Sequence, residues 1–196
     1  MDQPAAEMYI LSRLRSGLPK ERTYHNFSHT LDVYRSAVEL AMHAGVKEEE
    51  MNLLRTAALY HDSGFMVQDH DHEEAGCTIA REALPQFGYG KEHIQRVCDL
   101  VMATKLPPRP KDQLAMILCD ADLDYLGRPD FFRIGTTLFW EFKHYGVVKD
   151  EHDWNELQVR FMSAHRYFTE TSRAEREPLK QQNLERVRQW LIDHPR

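Results

Sequence analysis

Apolar residues along this chain recur mostly at intervals of three and four positions, which is the spacing of one face of an α-helix. No segment shows the sustained alternation of apolar and polar residues that is typical of a half-buried strand. The pattern predicts helices at about residues 5–14, 26–42, 47–62, 73–84, 91–103, 112–126, 130–146, 153–169 and 178–192. Gly45 and Pro85 lie where two of these helices should stop. We therefore predict an all-α helical bundle.

The composition is that of an ordinary soluble globular protein. The chain has 196 residues, 42% of them hydrophobic and 29% charged, which suits one domain with a single core. A net charge of −6 argues against a general nucleic-acid binder, because such proteins need a concentrated basic face. It does not argue against a small anionic substrate, since a bound divalent metal can reverse the local field. We expect one domain over residues 1–196.

Targeting and cysteine usage favour a cytoplasmic protein. The three cysteines, Cys77, Cys98 and Cys119, lie in helical patterns and resemble small buried residues more than a disulfide framework. No apolar run is long enough to span a membrane, and the N-terminus is not a secretion signal. We expect no membrane partner, and the sequence predicts no particular oligomeric state.

The third predicted helix ends in the adjacent pair His61-Asp62. The imidazole of His61 shares one helix face with four apolar residues, Met51, Leu54, Ala57 and Ala58. A buried imidazole beside a buried carboxylate needs a partner, and a metal ion can use both. The alternative is a helix end at which histidine stabilises the dipole and aspartate caps the next turn.

Two further histidines, His25 and His29, are four positions apart at the start of the second predicted helix. At this spacing both side chains project the same way. His29 also shares a face with Val33, Ala37 and Leu40, so the packed side of that helix leads to it. The alternative is that one histidine packs in the core and the other caps the helix.

Three acids follow one another closely at the end of the sixth predicted helix: Asp120, Asp122 and Asp124. Asp122 shares its face with the apolar residues Leu118 and Leu126, so periodicity selects Asp122 as the inward carboxylate. A small offset of the helix would select Asp120 instead. A solvated acidic helix end is the alternative for Asp120 and Asp124.

The inward-facing groups His29, His61, Asp62 and Asp122 come from three different helices. Together they offer imidazole nitrogens and carboxylate oxygens. This mixed set suits manganese, iron, cobalt, nickel or zinc better than calcium or magnesium.

The order of these residues, H…HD…D, resembles that of the HD-domain metal-dependent phosphohydrolases. Tyr24-His25-Asn26 with His29 is similar to the first signature of cyclic-nucleotide phosphodiesterases. Residues 71–76 resemble an acidic stretch that follows the HD pair in several branches, and residues 120–127 resemble the final-aspartate signature of small bacterial members. The resemblance covers most of the chain and implies a metal-binding core at about 20–130, with C-terminal helices at about 130–193 packed on it.

The resemblance also implies roles for individual residues. His29, His61, Asp62 and Asp122 would bind one divalent metal, and Asp62 would bridge to a second ion, with magnesium possible there. His72 is the one extra protein ligand available, and Glu73 could orient a water. Two family patterns are missing: residues 102–105 replace the paired histidines expected on the fifth helix, and residues 63–66 do not match the HDxxED pattern of alarmone hydrolases.

The implied activity is hydrolysis of a small phosphoester, a nucleotide or cyclic nucleotide, by attack of a metal-bound water. His25 would protonate the leaving oxygen, because imidazole is the side chain whose ordinary pKa is closest to neutrality; a simple surface or capping histidine is the alternative. Lys105 is the first choice of cation for the phosphate, ahead of Arg109 and Arg128. The competing hypothesis is a catalytically silent HD module that binds a nucleotide or a protein partner in a regulatory role.

Overall fold

The structure, a computed structural model, describes residues 1–196 and consists of helices without any strand. The all-α prediction is confirmed. Ten α-helices follow in chain order: α1 Gln3–Gly17, α2 Phe27–His43, α3 Glu48–Tyr60, α4 His72–Ala83, α5 Lys91–Ala103, α6 Gln113–Asp122, α7 Phe131–His144, α8 Glu151–Ala164, α9 Glu170–Glu175 and α10 Glu177–Asp193. Three short 3-10 helices occupy Ser63–Met66, Leu84–Phe87 and Asp124–Gly127.

The two largest differences between predicted and observed helix ends are those of the sixth and eighth helices. The sixth helix was expected to reach residue 126, but α6 ends at Asp122 and a 3-10 turn follows. The eighth was expected to reach residue 169, but α8 ends at Ala164 and His165 is extended. Buried Lys180 donates a hydrogen bond to the backbone oxygen of His165, and the side chain of Thr169 caps the unpredicted helix α9. Contacts from elsewhere in the chain therefore stabilise this break, and a local pattern does not contain them.

The chain divides into two compact units, residues 1–20 with 25–122 and residues 21–24 with 123–196. The expectation of one domain stays a prediction. In the second unit, the short segment 21–24 is held by Glu141. This buried carboxylate accepts hydrogen bonds from the Arg22 guanidinium at 2.9 Å and from the Tyr24 backbone nitrogen at 2.8 Å.

In the first unit, α2 packs against both α3 and α6, and α3 also contacts α6. α2 carries the small buried residues Ala37 and Ala41, and α3 carries Ala57 and Ala58. Small side chains let helix axes approach closely. This packing brings the start of α2 and the ends of α3 and α6 together.

The 3-10 helix that follows the His61-Asp62 pair lies directly on α4. A Cβ on Gly64 would overlap the backbone oxygen of His72, and one on Gly76 would lie 2.8 Å from the backbone oxygen of Tyr60. Glycine is therefore required at both positions for this close approach.

Two expectations about the remaining chain can be compared with the structure directly. Cys77, Cys98 and Cys119 are all buried free thiols, as predicted. None of the helices combines the length and the apolar character needed to cross a bilayer.

Candidate metal centre

His29 is placed by the capping of α2. The carboxamide oxygen of Asn26 accepts hydrogen bonds from the backbone nitrogens of Ser28 and His29, at 2.8 and 3.2 Å. Asparagine is among the preferred N-cap residues because it satisfies amides that have no partner within the helix. The cap fixes where α2 begins and puts His29 in its first turn.

His61 and Asp62 are placed by the end of α3. The His61 imidazole is buried, and its Nδ1 lies 2.8 Å from the backbone oxygen of Ala58, to which it donates a hydrogen bond. That bond leaves Nε2 as the nitrogen with an available lone pair. Asp62 leaves the helical conformation (φ −104°, ψ 5°), and its carboxylate reaches the same point.

Two carboxylates and two imidazoles converge in the first unit. Asp62 Oδ2 lies 3.3 Å from His29 Nε2 and 3.1 Å from His61 Nε2. Asp122, the last residue of α6, has its Oδ1 3.3 Å from His29 Nε2 and 3.4 Å from His61 Nε2. One ligand atom each from His29, His61 and Asp122 lie within 4.8 Å of one another.

This geometry fits a single transition-metal ion. Nitrogen and oxygen ligands that share one ion at roughly 2.1 Å lie about 3.0–3.4 Å apart. Moreover, His61 Nε2 and Asp62 Oδ2 are buried and form no hydrogen bond, although they are 3.1 Å apart. A buried imidazole nitrogen and a buried carboxylate oxygen at this distance need a proton or a metal ion between them.

The pKa shifts indicate the same affinity for positive charge. Burial alone would lower the pKa of His29, but the carboxylates of Asp122 and Asp62 outweigh it and raise this pKa to about 9. The pKa of His61 is raised against burial by the same two carboxylates. Burial would raise the carboxyl pKa values of Asp62 and Asp122, but the histidines lower both.

The structure brings Asp122 rather than Asp120 to the histidines, and Asp120 is buried outside this group. Its buried position differs from the solvated helix end that was the alternative for it. The two residues are on different faces because α6 remains helical as far as Asp122.

The other oxygen of Asp62 faces a second group of residues. Asp62 Oδ1 lies 3.4 Å from His72 Nε2, and His72 Nε2 lies 3.5 Å from Glu73 Oε1. His72 is the first residue of α4, and Glu73 is buried. Asp62 thus directs Oδ2 to His29 and His61, and Oδ1 to His72.

His25 lies just before α2, with its ring centroid 5.8 Å from that of His29. Phe65, for which no role was predicted, packs between two histidines. Its ring stacks on His72 at 3.9 Å and lies 4.8 Å from the ring of His25. The sequence offered one indication of this role: Phe65 is an aromatic residue directly after the HD pair, where the helical periodicity fails.

Lys105 lies between two carboxylates at the N-terminus of α4. Its Nζ is 2.7 Å from Asp71 Oδ1 and 2.7 Å from Glu74 Oε1, and both carboxylates raise the pKa of the lysine. A phosphate would have to compete with these two acids. The phosphate-binding role of Lys105 stays a prediction.

Residues 26–124 match the family described as HD domain. Since this match covers half of the chain, the protein belongs to the HD-domain family, and the family predicted from the sequence is confirmed. The likeness of Tyr24-His25-Asn26 to the phosphodiesterase signature stays a prediction. A comparison with curated proteins finds no match.

Two solved structures share the fold. One is YpgQ of Bacillus subtilis in complex with ADP, 24% identical with a TM-score of 0.69, covering 100% of this chain and 98% of its own. The other is a predicted HD superfamily hydrolase from an uncultured Thermotogales bacterium, 23% identical with a TM-score of 0.63, covering 95% of this chain and 91% of its own. The family and the donor set support a metal-dependent phosphohydrolase in general.

Proposed function

We propose that this protein hydrolyses a phosphoester of a small substrate, most favourably a nucleotide, with a divalent transition metal at His29, His61, Asp62 and Asp122. The observation that carries the proposal is the convergence of two imidazole nitrogens and two carboxylate oxygens at 3.1–3.4 Å. His61 Nε2 and Asp62 Oδ2 are both buried and have no other hydrogen-bond partner, which supports their use as metal ligands.

A metal held there supplies positive charge for the phosphoryl oxygens and makes a bound water more acidic. The protein keeps the donors in the required state. The Nδ1–H of His61 is committed to Ala58, so the ring is held in the tautomer that presents a lone pair at Nε2. The low-dielectric surroundings strengthen the interaction of both carboxylates with a cation.

The two oxygens of Asp62 support a bridging role. Oδ2 faces His29 and His61, and Oδ1 faces His72. A second ion at Oδ1 would have His72 as its protein ligand, with Glu73 beside it to accept a hydrogen bond from a coordinated water. Few further protein ligands lie near Oδ1. We therefore propose that the ion held by His29, His61, Asp62 and Asp122 is bound more tightly than a second ion.

His25 is the proposed proton donor to the leaving oxygen. Its ring neighbours that of His29 and packs against Phe65. It therefore lies close to a proposed ligand without belonging to the group of four. Substrates with poor leaving groups should depend on this residue most.

A nucleotide is the substrate class to test first. The fold relative YpgQ was solved with ADP, and the signature around His25 resembles that of cyclic-nucleotide phosphodiesterases. Nucleoside phosphates and cyclic nucleotides make up the decisive panel, because they separate monoesterase from diesterase activity.

The test is metal analysis of the purified protein followed by release of p-nitrophenol from a mono- and a bis-ester, with added manganese or nickel. We expect bound metal and activity, with both lost in Asp62→Ala. Asp99→Ala, which removes an exposed aspartate hydrogen-bonded to Gln95, is the matched control and should retain both. A wild-type protein that stays metal-free and inactive with these metals would instead favour the catalytically silent HD module.

A further inference from the structure

Helices α7, α8 and α10 of the second unit line a cavity of about 400 Å³. Ligand pockets in proteins commonly measure roughly 300–1,000 Å³ and combine aromatic walls with a few polar groups. This cavity has both features. Its lining includes Phe132, Phe139 and three tryptophans, Trp140, Trp154 and Trp190.

Gln158 is the polar residue that indicates a ligand. It lines the cavity and is 8% exposed, and its only side-chain hydrogen bond runs from Nε2 to Asn155 Oδ1 at 3.0 Å. Asn155 in turn donates through Nδ2 to the backbone oxygen of Glu151 at 2.8 Å, so its amide orientation is determined. The Gln158 oxygen Oε1 therefore receives no hydrogen bond from the protein and remains accessible from the cavity.

Gly135 leaves the space beside this oxygen open. A Cβ on Gly135 would lie 3.5 Å from Gln158 Oε1 and 3.8 Å from a ring carbon of Trp154, which are ordinary contacts. A larger side chain at this position would fill space in front of the acceptor. A ligand that excludes water from this oxygen should bring an N–H or O–H donor to it, because covering an acceptor without a hydrogen bond is costly.

Charged side chains also lie in or near this cavity. Arg186 lines the cavity, and its guanidinium lies 4.3 Å from the centre of the Phe132 ring. Lys143 does not line the cavity, but its Nζ lies 5.3 Å from the ring centre of Trp140, which does. Glu151 supplies one carboxylate, which can accept hydrogen bonds from hydroxyl groups.

We propose that this cavity binds a purine nucleoside monophosphate, with the base against the tryptophans and its exocyclic amine on Gln158 Oε1. Aromatic side chains stack on bases, and a glutamine carboxamide pairs with adenine through the exocyclic amine. Glu151 accepts from the ribose hydroxyls, and Arg186 pairs with the phosphate. This binding site is independent of the proposed hydrolysis.

All three tryptophans of the chain line this cavity, so tryptophan fluorescence reports on it alone. We expect AMP to change the emission in a saturable way in the full-length, metal-loaded protein, and adenosine to do so more weakly. The same AMP response should persist in Asp62→Ala, in which the proposed catalytic centre is disabled. If the protein proves not to be a hydrolase, this test of AMP binding remains valid.

Two exposed arginines on α10 provide matched variants. Arg186→Ala should weaken AMP binding at least tenfold and leave adenosine binding within twofold. Arg188→Ala, which removes a residue that pairs with Glu185 and does not line the cavity, should leave both unchanged. Gly135→Leu should abolish the response while the circular dichroism spectrum stays helical, and Gly135→Ala should weaken binding less.

Three results would overturn the proposal. One is the lack of any saturable fluorescence change up to about 1 mM AMP, a concentration that detects even weak binding. Another is an equal effect of Arg186→Ala and Arg188→Ala. The third is emission that depends on protein concentration and not on AMP, with a matching change in mass by light scattering, which would make the cavity a contact between two copies of the chain.

Discussion

With His29 and His61 as the proposed metal ligands, protons and a divalent metal would compete for their imidazole nitrogens, so the apparent metal affinity should rise with pH. In the metal-free protein the pKa of His29 is raised to about 9 by Asp122 and Asp62, against the effect of burial. At pH 7 this histidine is protonated, and a metal can bind only after that proton has left.

The size of the effect follows from the two pH units between 7 and 9. Displacing one proton at pH 7 weakens the apparent affinity by about 100-fold, or about 3 kcal/mol, relative to a pH well above 9. Displacement of this one proton should therefore lower the dissociation constant by up to about tenfold per pH unit below pH 9. His61, whose pKa is also raised, makes the dependence steeper.

Titration calorimetry with manganese or nickel, in two buffers of different ionisation enthalpy, measures both the affinity and the protons released. We expect between one and two protons per metal at pH 7. His165→Gln is the control, because burial and Lys180 lower the pKa of His165 to about 4 and keep it neutral in this range. A dissociation constant independent of pH, with no proton release, would refute the assignment of these histidines as ligands.

The raised pKa of His29 should also make the stability of the chelator-treated protein depend on pH. The pKa of His29 is higher in the folded state, about 9, than the ordinary 6.5, so its contribution is fully present below pH 6.5. It is lost as the pH rises through 9, which corresponds to a decrease of about 3 kcal/mol. Urea unfolding with a chelator should show this decrease, whereas unfolding of the metal-loaded protein should not.

Three further changes have defined outcomes. His25→Ala should retain the metal but lower kcat by about 10²–10⁴-fold, most for poor leaving groups, and full activity in this variant would exclude the acid role. Glu141→Ala should lower the free energy of unfolding by about 3–5 kcal/mol in urea titrations, because it leaves the buried Arg22 charge without this carboxylate; a loss under about 1 kcal/mol would contradict that reasoning. Gly64→Ala should lower the melting temperature and the bound metal, since its Cβ overlaps a backbone oxygen, whereas Gly90→Ala meets only one side-chain atom at 4.0 Å and should change neither.

Periodicity located most of the helices because an apolar stripe with a spacing of three to four residues is a local property of the chain. The helix predicted for residues 91–103 coincides with α5, and the second differs from α2 by one residue at each end. The largest errors are at the end of α6 and after Ala164. There, tertiary contacts such as that between Lys180 and the His165 backbone satisfy groups that a continued helix would have paired.

The sequence predicted part of the candidate site. His29, His61 and Asp122 each continue an apolar helix face, so their inward direction could be read locally. Phe65 could not be assigned in this way, because its ring contacts His72 and His25 from a 3-10 turn without periodicity. The partition of the two Asp62 oxygens between His61 and His72 also depends on rotamers that only packing selects.

The sequence by itself determined the helical class, the family and the donor types, because periodicity and residue chemistry are properties of short stretches. Only the tertiary structure decided that donors from α2, α3 and α6 meet at 3.1–3.4 Å, that Lys105 is held by Asp71 and Glu74, and that three tryptophans surround a nearly buried amide. These distances depend on how whole helices pack, and packing is a collective result of buried side chains far apart along the chain.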